Sequence, residues 1–567
     1  MTVNDPIERL KKIVGNRGVL TSDSQTAYYR SGFRSGFGGA LAVVFPNSLL
    51  ELWETLKISV EANYAIIMQA TKTGLTEGSS PSGFDYDREV IVINITRIKK
   101  IILLDGGKQV IALPGSTLHE LEKELTPINR APHSVIGSTT IGATVVGGIA
   151  NNAGGALCKR GSSYTELSLF ARVNKEGNLE LVNHLGIKNL GETPEEIFKS
   201  LEEGNISLKD ISELDKAASD RDYQKRIRKM DANIPNRYNA DPKRLYEVSG
   251  SAGKVVAFAV RVDTYPMPEK KQVFYLGTNN PDDFSKLRKH VLKNFSELPE
   301  MCEYMNRGIF DTAKKYGKDV FLSIKHIGTK RLPKLYALKS NLEYFLNKIP
   351  FIPKFIPDQL LYYISKIFPE HLPQRLIDYR NQYEHYLILY MSDEGINEAR
   401  NYLEQEWSNL EGVGFFECNE TEQQASLLHR FAAAGAAIRY QTMNQQKTEE
   451  VLALDIALLG KDSEWMEQIP SDLKQHLDLS LYYGHFMCHV FHHDYILKKG
   501  TNVKSVKDKL LKRLDEKNAK YPAEHNVGHM YAADKNLQEH YEKLDPTNTF
   551  NPGIGFTPKE SLKEFNN

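Results

Sequence analysis

A histidine beside a carboxylate, near the end of the chain, has the residue types that acid–base chemistry uses. His525 follows Glu524 in the segment AEHNVGH. An imidazole titrates near neutral pH, so it can take a proton from an alcohol and later release it. A lone histidine is also a common structural or surface residue. The pair therefore makes His525 a candidate base, but it does not define a reaction.

A second group of histidines lies in the segment YYGHFMCHVFHH, where His485 and His492 are seven positions apart. On a helix this spacing returns both side chains to one face. On a straight strand it points them to opposite sides, so a strand would need a bulge or a turn to bring them together. The spacing alone leaves both conformations open.

Two glycine-rich stretches have the composition of loops that bind phosphate. They are MQATKTGLTEGSS at residues 68–80 and VIGSTTIGATVVGGIANNAGG at residues 135–155, and each follows a short β-like run. Backbone N–H groups of such loops point into a concavity that suits a phosphate group. Neither stretch has the spacing of a Rossmann or Walker loop. Two such loops in one chain predict a diphosphate held from two sides.

The composition excludes several classes of protein. The 567 residues include 72 basic and 72 acidic side chains, so no global field attracts nucleic acid or anionic lipid. The four cysteines lack C-x-x-C spacing, which is typical of reduced thiols and argues against Fe–S clusters and disulfide scaffolds. The N-terminal segment is polar and no apolar run is long enough to span a bilayer, so we expect a cytosolic chain.

The elements that must position these residues alternate strands with amphipathic helices. The order LAVVFP, LLELWETLKISVEAN, AIIMQA predicts strand, helix and strand before the first glycine stretch, with Ser48 capping the helix. Hairpins are predicted at IILLDGGKQVIALPG and SLFARVNKEGNLELVN, and a surface excursion at residues 192–231. Later, FLSIK and YLILYM are predicted strands between helices. The pattern indicates α/β packing followed by an α+β region.

Residues 325–380 differ from their surroundings. Lysine and arginine outnumber acids there, large apolar and aromatic residues lie between the charges, and prolines keep the elements short. This mixture suits the headgroup layer of an anionic membrane. An ordinary basic subdomain that packs its aromatic residues internally would have the same composition. No RNA-binding signature accompanies the basic residues, so no nucleic-acid partner is predicted.

The pairing of TGLTEGSS with IGATVVGGIANNAGG resembles the flavin-binding domain of the vanillyl-alcohol-oxidase and p-cresol-methylhydroxylase (PCMH) flavoproteins. Within that family, the segments around the first loop, the histidine group and AEHNVGH are similar to the respiratory branch that acts on D-lactate. The resemblance covers nearly the whole chain. It implies an α+β fold with a PCMH-type FAD-binding domain, an α+β cap domain and an inserted basic, mostly helical membrane-binding segment.

The resemblance also implies domain boundaries. The expected regions are a helical lead at 1–38, the FAD-binding domain at 39–266, the cap at 267–324 and 381–520, the membrane-binding insert at 325–380, and a C-terminal segment returning to the FAD site at 521–567.

The cofactor implied by the resemblance is FAD, expected without a covalent bond because neither His133 nor Cys158 matches a linkage position. The residues expected to hold it come from both glycine stretches and one later strand: Ala70, Thr71, Lys72, Thr73, Gly74, Gly78, Ser79, Gly137, Thr144, Gly154 and Ala257.

The catalytic residues implied by the resemblance begin with His525 as the base, beside Glu524. Arg430 is expected to bind the substrate carboxylate, because a guanidinium can grip it bidentately. Arg439 is the second choice and Arg34 a third.

A divalent metal is a further implication of the resemblance. Relatives hold one with two histidines and an acid, here His485, His492 and Glu524, a donor set that suits zinc or manganese. The residues between the two histidines differ from the relatives' pattern. Histidines that hydrogen-bond the substrate without a metal therefore stay the alternative.

The activity implied by the resemblance is FAD-dependent oxidation of D-lactate to pyruvate, with transfer of the electrons to membrane quinone. It implies a peripheral position on the cytoplasmic side of the inner membrane, at an anionic lipid surface. Two alternatives stay open. One is oxidation of another D-2-hydroxy acid, such as 2-hydroxyglutarate, and the other is a membrane-docked flavin-binding protein without turnover.

Overall fold

The computed structural model describes residues 5–212, 215–328, 346 and 355–562. Its strands, numbered β1 to β18 in chain order, are Val19–Leu20, Ala42–Val44, Ala65–Gln69, Val90–Asn94, Ile101–Leu104, Gln109–Ala112, Arg130–Ala131, Ser168–Val173, Leu179–Asn183, Val256–Asp263, Tyr265–Pro266, Lys271–Thr278, Met301–Asn306, His385–Ser392, Val413–Glu417, Thr448–Ala457, Leu477–His485 and Val490–Lys498. The α-helices of the described residues are Pro6–Val14, Asp23–Arg30, Leu49–Glu61, Leu118–Leu125, Val145–Ala150, Pro194–Glu203, Tyr223–Ile227, Pro281–Asn294, Arg307–Tyr316, Lys318–Ile327, Ile356–Ser365, Gln374–Gln382, Gly395–Gln405, Glu420–Met443, Ser471–Lys474, Val503–Glu516 and Lys535–Leu544.

Two sheets make up the half of the molecule that carries the glycine stretches. The first has the order β1-β2-β4-β3, in which β2, β4 and β3 are parallel. The Leu49–Glu61 helix connects β2 to β3, and the Ser48 hydroxyl caps it by accepting from the Glu51 N–H at 3.1 Å. The second sheet is antiparallel, with the order β5-β6-β10-β8-β9. One buried core joins the two sheets.

The cap is built on a seven-stranded antiparallel sheet with the order β15-β12-β14-β13-β17-β18-β16. Successive residues of β12 enter different cores, since Phe274 packs with the Pro281–Asn294 side and Tyr275 with the Glu420–Met443 side. Both faces of this sheet are therefore covered. The histidine group lies on β17 and β18, near the β16 edge of the sheet.

Two expectations from the sequence are corrected by the structure. FLSIK lies inside the Lys318–Ile327 helix and is not a strand, because it packs against the Glu420–Met443 helix and tertiary contacts override a short β-like run. The excursion at 192–231 is not purely superficial. Its Pro194–Glu203 helix buries Ile197, Phe198 and Leu201 in the FAD-side core.

The C-terminal segment returns to the glycine-rich half of the molecule. The Asn551 side-chain amide donates to the carbonyls of Gly78 at 2.8 Å and of Ala252 at 2.7 Å. The Ile66 N–H donates to the Thr549 carbonyl at 2.9 Å. These bonds attach residues 549–551 beside the first glycine stretch.

Candidate functional site

One cavity of about 1340 Å³ lies between the glycine-rich half, the cap and the C-terminal segment. Its walls contain all the residues expected to hold the cofactor, which are Ala70, Thr71, Lys72, Thr73, Gly74, Gly78, Ser79, Gly137, Thr144, Gly154 and Ala257. The same walls contain Arg430, His485, His492, Glu524 and His525. The structure thus brings both glycine stretches and the histidines to one chamber.

The first glycine stretch begins where β3 ends. The Asn94 side-chain amide donates to the Ala70 carbonyl at 3.1 Å and fixes the start of the loop. Lys72 turns its ammonium toward the N-terminal segment, donating to the Tyr28 and Ser31 carbonyls. Burial lowers the pKa of Lys72 to about 8. This ammonium therefore ties residues 28–31 to the loop, and the loop's backbone is what lines the cavity.

The second glycine stretch contains two residues whose roles the structure makes specific. The Thr144 hydroxyl accepts from the Gly147 N–H at 3.0 Å and so caps the short Val145–Ala150 helix. Gly154 lies against Glu524, and a Cβ there would come within 2.5 Å of the Glu524 Oε1. Gly154 is thus required by a carboxylate of the C-terminal segment.

Two glycines test whether the cavity fits a bound cofactor. A Cβ at Gly74 or at Gly137 would meet no atom within 4 Å in the parts of the chain that the structure describes, and neither residue needs a left-handed backbone. Neither protein packing nor turn geometry therefore requires glycine at these positions. Open space beside backbone N–H groups is what a closely approaching diphosphate or ring system needs. The two loops fit a dinucleotide on this evidence.

A hairpin between β17 and β18 brings the two predicted histidines together. A 3₁₀ turn at Phe486–Cys488, followed by His489 at φ 55°, reverses the chain. The ring centroids of His485 and His492 are 5.3 Å apart, and the rings are nearly perpendicular. The turn that a strand arrangement required is therefore present, and the helical alternative is wrong.

Carboxylates hold His485 at both ring nitrogens. Its Nδ1 lies 2.6 Å from Glu303 Oε1, and its Nε2 lies 3.1 Å from Glu524 Oε2. Arg430 places its Nε 2.8 Å from the other oxygen of Glu303. Arg237 donates to the remaining oxygen of Glu524. The result is a buried chain of alternating charge, which we call the ion chain: Arg430, Glu303, His485, Glu524 and Arg237.

The electrostatics of the ion chain keep its members charged. Burial alone would lower the pKa of His485, but Glu303 and Glu524 together raise it to about 10. Burial would raise the pKa of both carboxyl groups, yet His485 and the flanking arginines hold both below the usual range. Each buried charge therefore has an opposite charge in contact, which is the condition for tolerating it.

Asp455 of β16 links the ion chain to the candidate base. Its Oδ2 accepts from the Glu524 backbone N–H at 2.6 Å and lies 3.9 Å from His525 Nε2. Its Oδ1 lies 3.4 Å from His492 Nδ1. The Asn239 side chain donates to the His525 carbonyl. The His525 side chain is 34% exposed. Asn239 thus holds its backbone, and Asp455 lies beside its ring.

The three candidate arginines lie in different environments. Arg430 and Arg34 line the cavity, Arg430 from the cap and Arg34 from the N-terminal segment. Arg439 does not line it. Its guanidinium is ion-paired with Asp319 at 3.0 Å and Asp358 at 2.8 Å. The expectation that Arg439 binds the substrate is corrected, because these carboxylates hold it in the cap.

Several residues of this site were not predicted from the sequence. Glu303, Asp455 and Arg237 come from segments far from the histidines along the chain. For Glu303 and Asp455 a signal was available, since each is an acid within an otherwise apolar strand, in MCEYM and LALDIALL. A buried acid in a strand needs a partner. The identity of that partner is fixed only by strand pairing.

The predicted metal ligands are close enough to share an ion. The ligand atoms of His485, His492 and Glu524 lie within 4.8 Å of one another, and no other such group of three occurs in the described parts of the chain. However, both nitrogens of His485 already contact carboxylates. The donor types suit a metal, because a neutral His485 would donate from Nδ1 to Glu303 and leave Nε2 for an ion shared with Glu524. Without an ion, the two carboxylates raise the pKa of His485 and favour its charged form. The set therefore fits a metal only if His485 loses one proton.

A separate surface carries exposed apolar residues. On and just after the Ile356–Ser365 helix, large apolar side chains point outward at helical spacing, and we call them the apolar patch: Leu360, Tyr363, Ile364, Ile367 and Phe368. The exposed fraction reaches 83% at Ile367. Exposed apolar faces of this kind mark membrane or partner contacts. No helix among the described residues has the length and apolar composition to cross a bilayer.

The fold is shared with two solved enzyme structures. The substrate-bound p-cresol methylhydroxylase superimposes with a TM-score of 0.58 at 12% identity, covering 98% of this chain and 97% of that one. An alkyldihydroxyacetonephosphate synthase superimposes with a TM-score of 0.57 at 12% identity, covering 97% and 85%. The "FAD binding domain" family matches residues 40–177. Fold and cavity together define a flavoprotein with a PCMH-type FAD-binding domain, as expected.

The remainder of the chain specifies the family more narrowly. Residues 273–562 match the family "D-lactate dehydrogenase, membrane binding". Quinone-dependent D-lactate dehydrogenases of Haemophilus influenzae and Escherichia coli are 52% and 51% identical, over 99% and 98% of this chain and 99% and 96% of theirs. The Corynebacterium glutamicum enzyme is 40% identical over 98% of this chain and 97% of its own. The chain belongs to the quinone-dependent D-lactate dehydrogenase family.

Proposed function

We propose that this chain oxidises D-lactate to pyruvate on bound FAD and passes the electrons to membrane quinone. The observation that carries the proposal is the single cavity, which both glycine stretches and His525 line together. Similarity to enzymes named for this activity over nearly the full length supports the choice of substrate and acceptor.

His525 is the proposed base. Its ring is partly exposed to the cavity, and Asp455 lies beside its Nε2. A base must be held within reach of the hydroxyl proton. The Asn239 side chain holds the His525 backbone, and Asp455 holds the backbone of the neighbouring Glu524. The chemistry that FAD supplies when bound is acceptance of a hydride from the alcohol carbon. Asp455 and Glu524 act as positioning residues.

Arg430 and Arg34 are the proposed carboxylate ligands. Arg430 is 9% exposed, its Nε pairs with Glu303, and its guanidinium lies 4.6 Å from the Tyr483 ring centroid. Its terminal N–H groups make no hydrogen bond to a described residue, so they can serve a ligand in the cavity. Arg34 lines the cavity from residues 33–35 and makes no ion pair within the described parts of the chain. Both guanidiniums oppose the burial-driven rise in the pKa of Asp494, so the two cations lie near the same carboxyl. Two neighbouring cations suit a small 2-hydroxy acid.

FAD is proposed to bind without a covalent bond, along the two glycine stretches. Residues 70–79 would hold the diphosphate through backbone N–H groups, with the space beside Gly74 and Gly137 open to the cofactor. His133 and Cys158 are buried and do not line the cavity, so neither has access to the flavin.

The apolar patch is proposed to dock on anionic lipid, on the cytoplasmic side of the inner membrane. The patch lies within the expected insert, of which residues 329–345 and 347–354 fall outside the described residues. Lys366 lies beside a ring of the patch, with its Nζ 5.1 Å from the Tyr363 centroid. A cation beside exposed apolar side chains suits a negatively charged interface.

Liposome flotation tests the docking. Leu360→Asp with Ile364→Asp should abolish flotation with anionic vesicles at low salt. Leu208→Asp is the matched control, because Leu208 is 63% exposed on the FAD-binding side. Equal flotation of both variants would contradict docking through the apolar patch. Equal binding to neutral and anionic vesicles would contradict the preference for anionic lipid.

Anaerobic titration tests the reaction itself. D-lactate should bleach the bound flavin, and L-lactate at the same concentration should leave the spectrum unchanged. A larger diacid such as 2-hydroxyglutarate should give at least tenfold lower kcat/KM. Faster reduction by the diacid would favour the alternative substrate, and no bleaching by any of these acids would favour the non-catalytic alternative.

A further inference from the structure

The Glu420–Met443 helix presents an apolar face to the cavity. Leu427, Phe431, Ala434, Gly435 and Ile438 all line it, at intervals that keep them on one side of the helix. Ala434, Gly435 and Ile438 are exposed, with 38% exposure at Ile438. No side chain of the described residues packs over this part of the helix. The face therefore opens from the cavity toward solvent.

Gly435 is unusual for its position. It lies well inside a 24-residue helix, where glycine costs roughly 0.5–1 kcal/mol relative to alanine. A Cβ there would meet no atom of a described residue within 4 Å, and its backbone is not left-handed. Neither packing nor turn geometry explains glycine at this position. Close approach of a ligand to the helix backbone would explain the glycine.

The two ends of this face lead to different places. At the inner end Arg430 is 9% exposed, and its terminal N–H groups make no hydrogen bond to a described residue. At the outer end Ile438 precedes Arg439. Arg439 is ion-paired at 2.8 Å to Asp358 of the Ile356–Ser365 helix, which carries part of the apolar patch. The face therefore runs from a buried cation beside the histidines to the element that carries the apolar patch.

We propose that this face is the quinone-binding site, with the ring lying over Gly435, one carbonyl toward Arg430 after pyruvate has left it, and the isoprenoid tail leaving past Ile438. The inference rests on the proposed function, which supplies the electrons. D-lactate loses two electrons and two protons in becoming pyruvate, and the quinone gains the same two electrons and two protons in becoming quinol. An apolar ring with polar carbonyls matches an apolar wall that ends in a guanidinium.

The test uses Gly435→Phe, which fills the space beside the helix, and Gln424→Phe as a matched control. Gln424 is exposed on the same helix and does not line the cavity. The probe is ubiquinone-1, a benzoquinone with one isoprene unit, and its binding to the FAD-loaded protein is measured by equilibrium dialysis without D-lactate. We expect at least tenfold weaker binding for Gly435→Phe and no change for Gln424→Phe.

Two further measurements separate the possible outcomes. Flavin bleaching by D-lactate reports the first half-reaction, and failure of the unmodified protein to bleach overturns the proposed function. Normal bleaching together with unchanged ubiquinone-1 binding by Gly435→Phe overturns the quinone site. If Gly435→Phe does not fold, Ile438→Asp replaces it with the same expected loss, since a carboxylate opposes entry of the tail. Gly435→Ala should raise Tm, because no contact opposes the added methyl group.

Discussion

Four members of the ion chain and the apolar face of the Glu420–Met443 helix line the same cavity, but the two regions differ in how their contacts are completed. In the ion chain every member contacts an opposite charge, as His485 does between Glu303 and Glu524. On the helix face Gly435 has open space beside it. A site that must hold a fixed charge arrangement is completed by protein contacts in advance. A surface that admits a mobile apolar ligand leaves its contacts for that ligand to make.

The largest expected effect is on the base. His525→Asn should slow flavin reduction by D-lactate about 10²- to 10⁴-fold, the usual contribution of a positioned base, while the flavin stays bound. Stopped-flow absorbance under anaerobic conditions measures both properties. His476→Asn is the control, since His476 is half-buried and outside the cavity. Reduction of the His525 variant at the unmodified rate would assign the base elsewhere.

Breaking the ion chain should cost more stability than changing the apolar face. Arg237→Met leaves Glu524 buried beside a single cation and should lower the free energy of unfolding by about 3–5 kcal/mol. Leu427→Met, on the apolar face, should cost less than about 1.5 kcal/mol because the volume is conserved. Urea unfolding of the FAD-loaded proteins measures both. Equal losses would erase the distinction between the two regions.

The pH dependence of stability should reveal a third environment, on the side of the Glu420–Met443 helix that faces away from the cavity. His429 is buried there against Phe310, with neither ring nitrogen hydrogen-bonded to a described residue. Burial, with His371 and Lys314 nearby and Glu370 opposing them, lowers its pKa from 6.5 to about 3. The unfolded chain therefore binds this proton at higher pH than the folded chain. Stability should fall as the pH drops below 6.5, by up to about 1.4 kcal/mol per unit.

His429→Phe should remove that part of the acid sensitivity while keeping an aromatic ring against Phe310. Urea unfolding at pH 6.5 and pH 4.5 gives the two values for each protein, with His476→Phe as the control. The difference between the two pH values should shrink in the His429 variant only. An unchanged difference would mean that His429 is not the group responsible.

The smallest expected effect is that of a chelator. Because Glu303 and Glu524 raise the pKa of His485 and balance its charge without a metal, we expect prolonged dialysis against EDTA to leave D-lactate oxidation unchanged. Elemental analysis before and after dialysis serves as the control for metal content. Loss of activity that zinc or manganese restores would show that a metal binds at His485, His492 and Glu524.

The sequence predicted the parts of this molecule whose signals are local. The glycine stretches, the Ser48 cap and the hairpin at IILLDGGKQVIALPG depend on neighbouring residues, and the structure forms each of them. His485 and His492 were ambiguous because a spacing of seven fits a helix or a turn. Only the pairing of β17 with β18 decides between them.

The remaining features depend on residues distant in sequence. Glu303 reaches His485 because β13 pairs with β17, and Arg237 reaches Glu524 across 287 positions. The helix at Lys318–Ile327 was mistaken for a strand because its apolar residues fit either period until the neighbouring helix is known. Arg439 had the right chemistry for a substrate ligand, but Asp319 and Asp358 could not be located from the sequence.

The contact between Gly154 and Glu524 has a consequence for how such sequences diverge. A glycine in a cofactor-loop motif is usually read as a signature of the nucleotide, yet here a distant acid occupies the volume that a methyl group would need. The two positions should therefore change together over evolutionary time. Descendants that shorten the acid gain freedom to enlarge the glycine, and those that keep it do not.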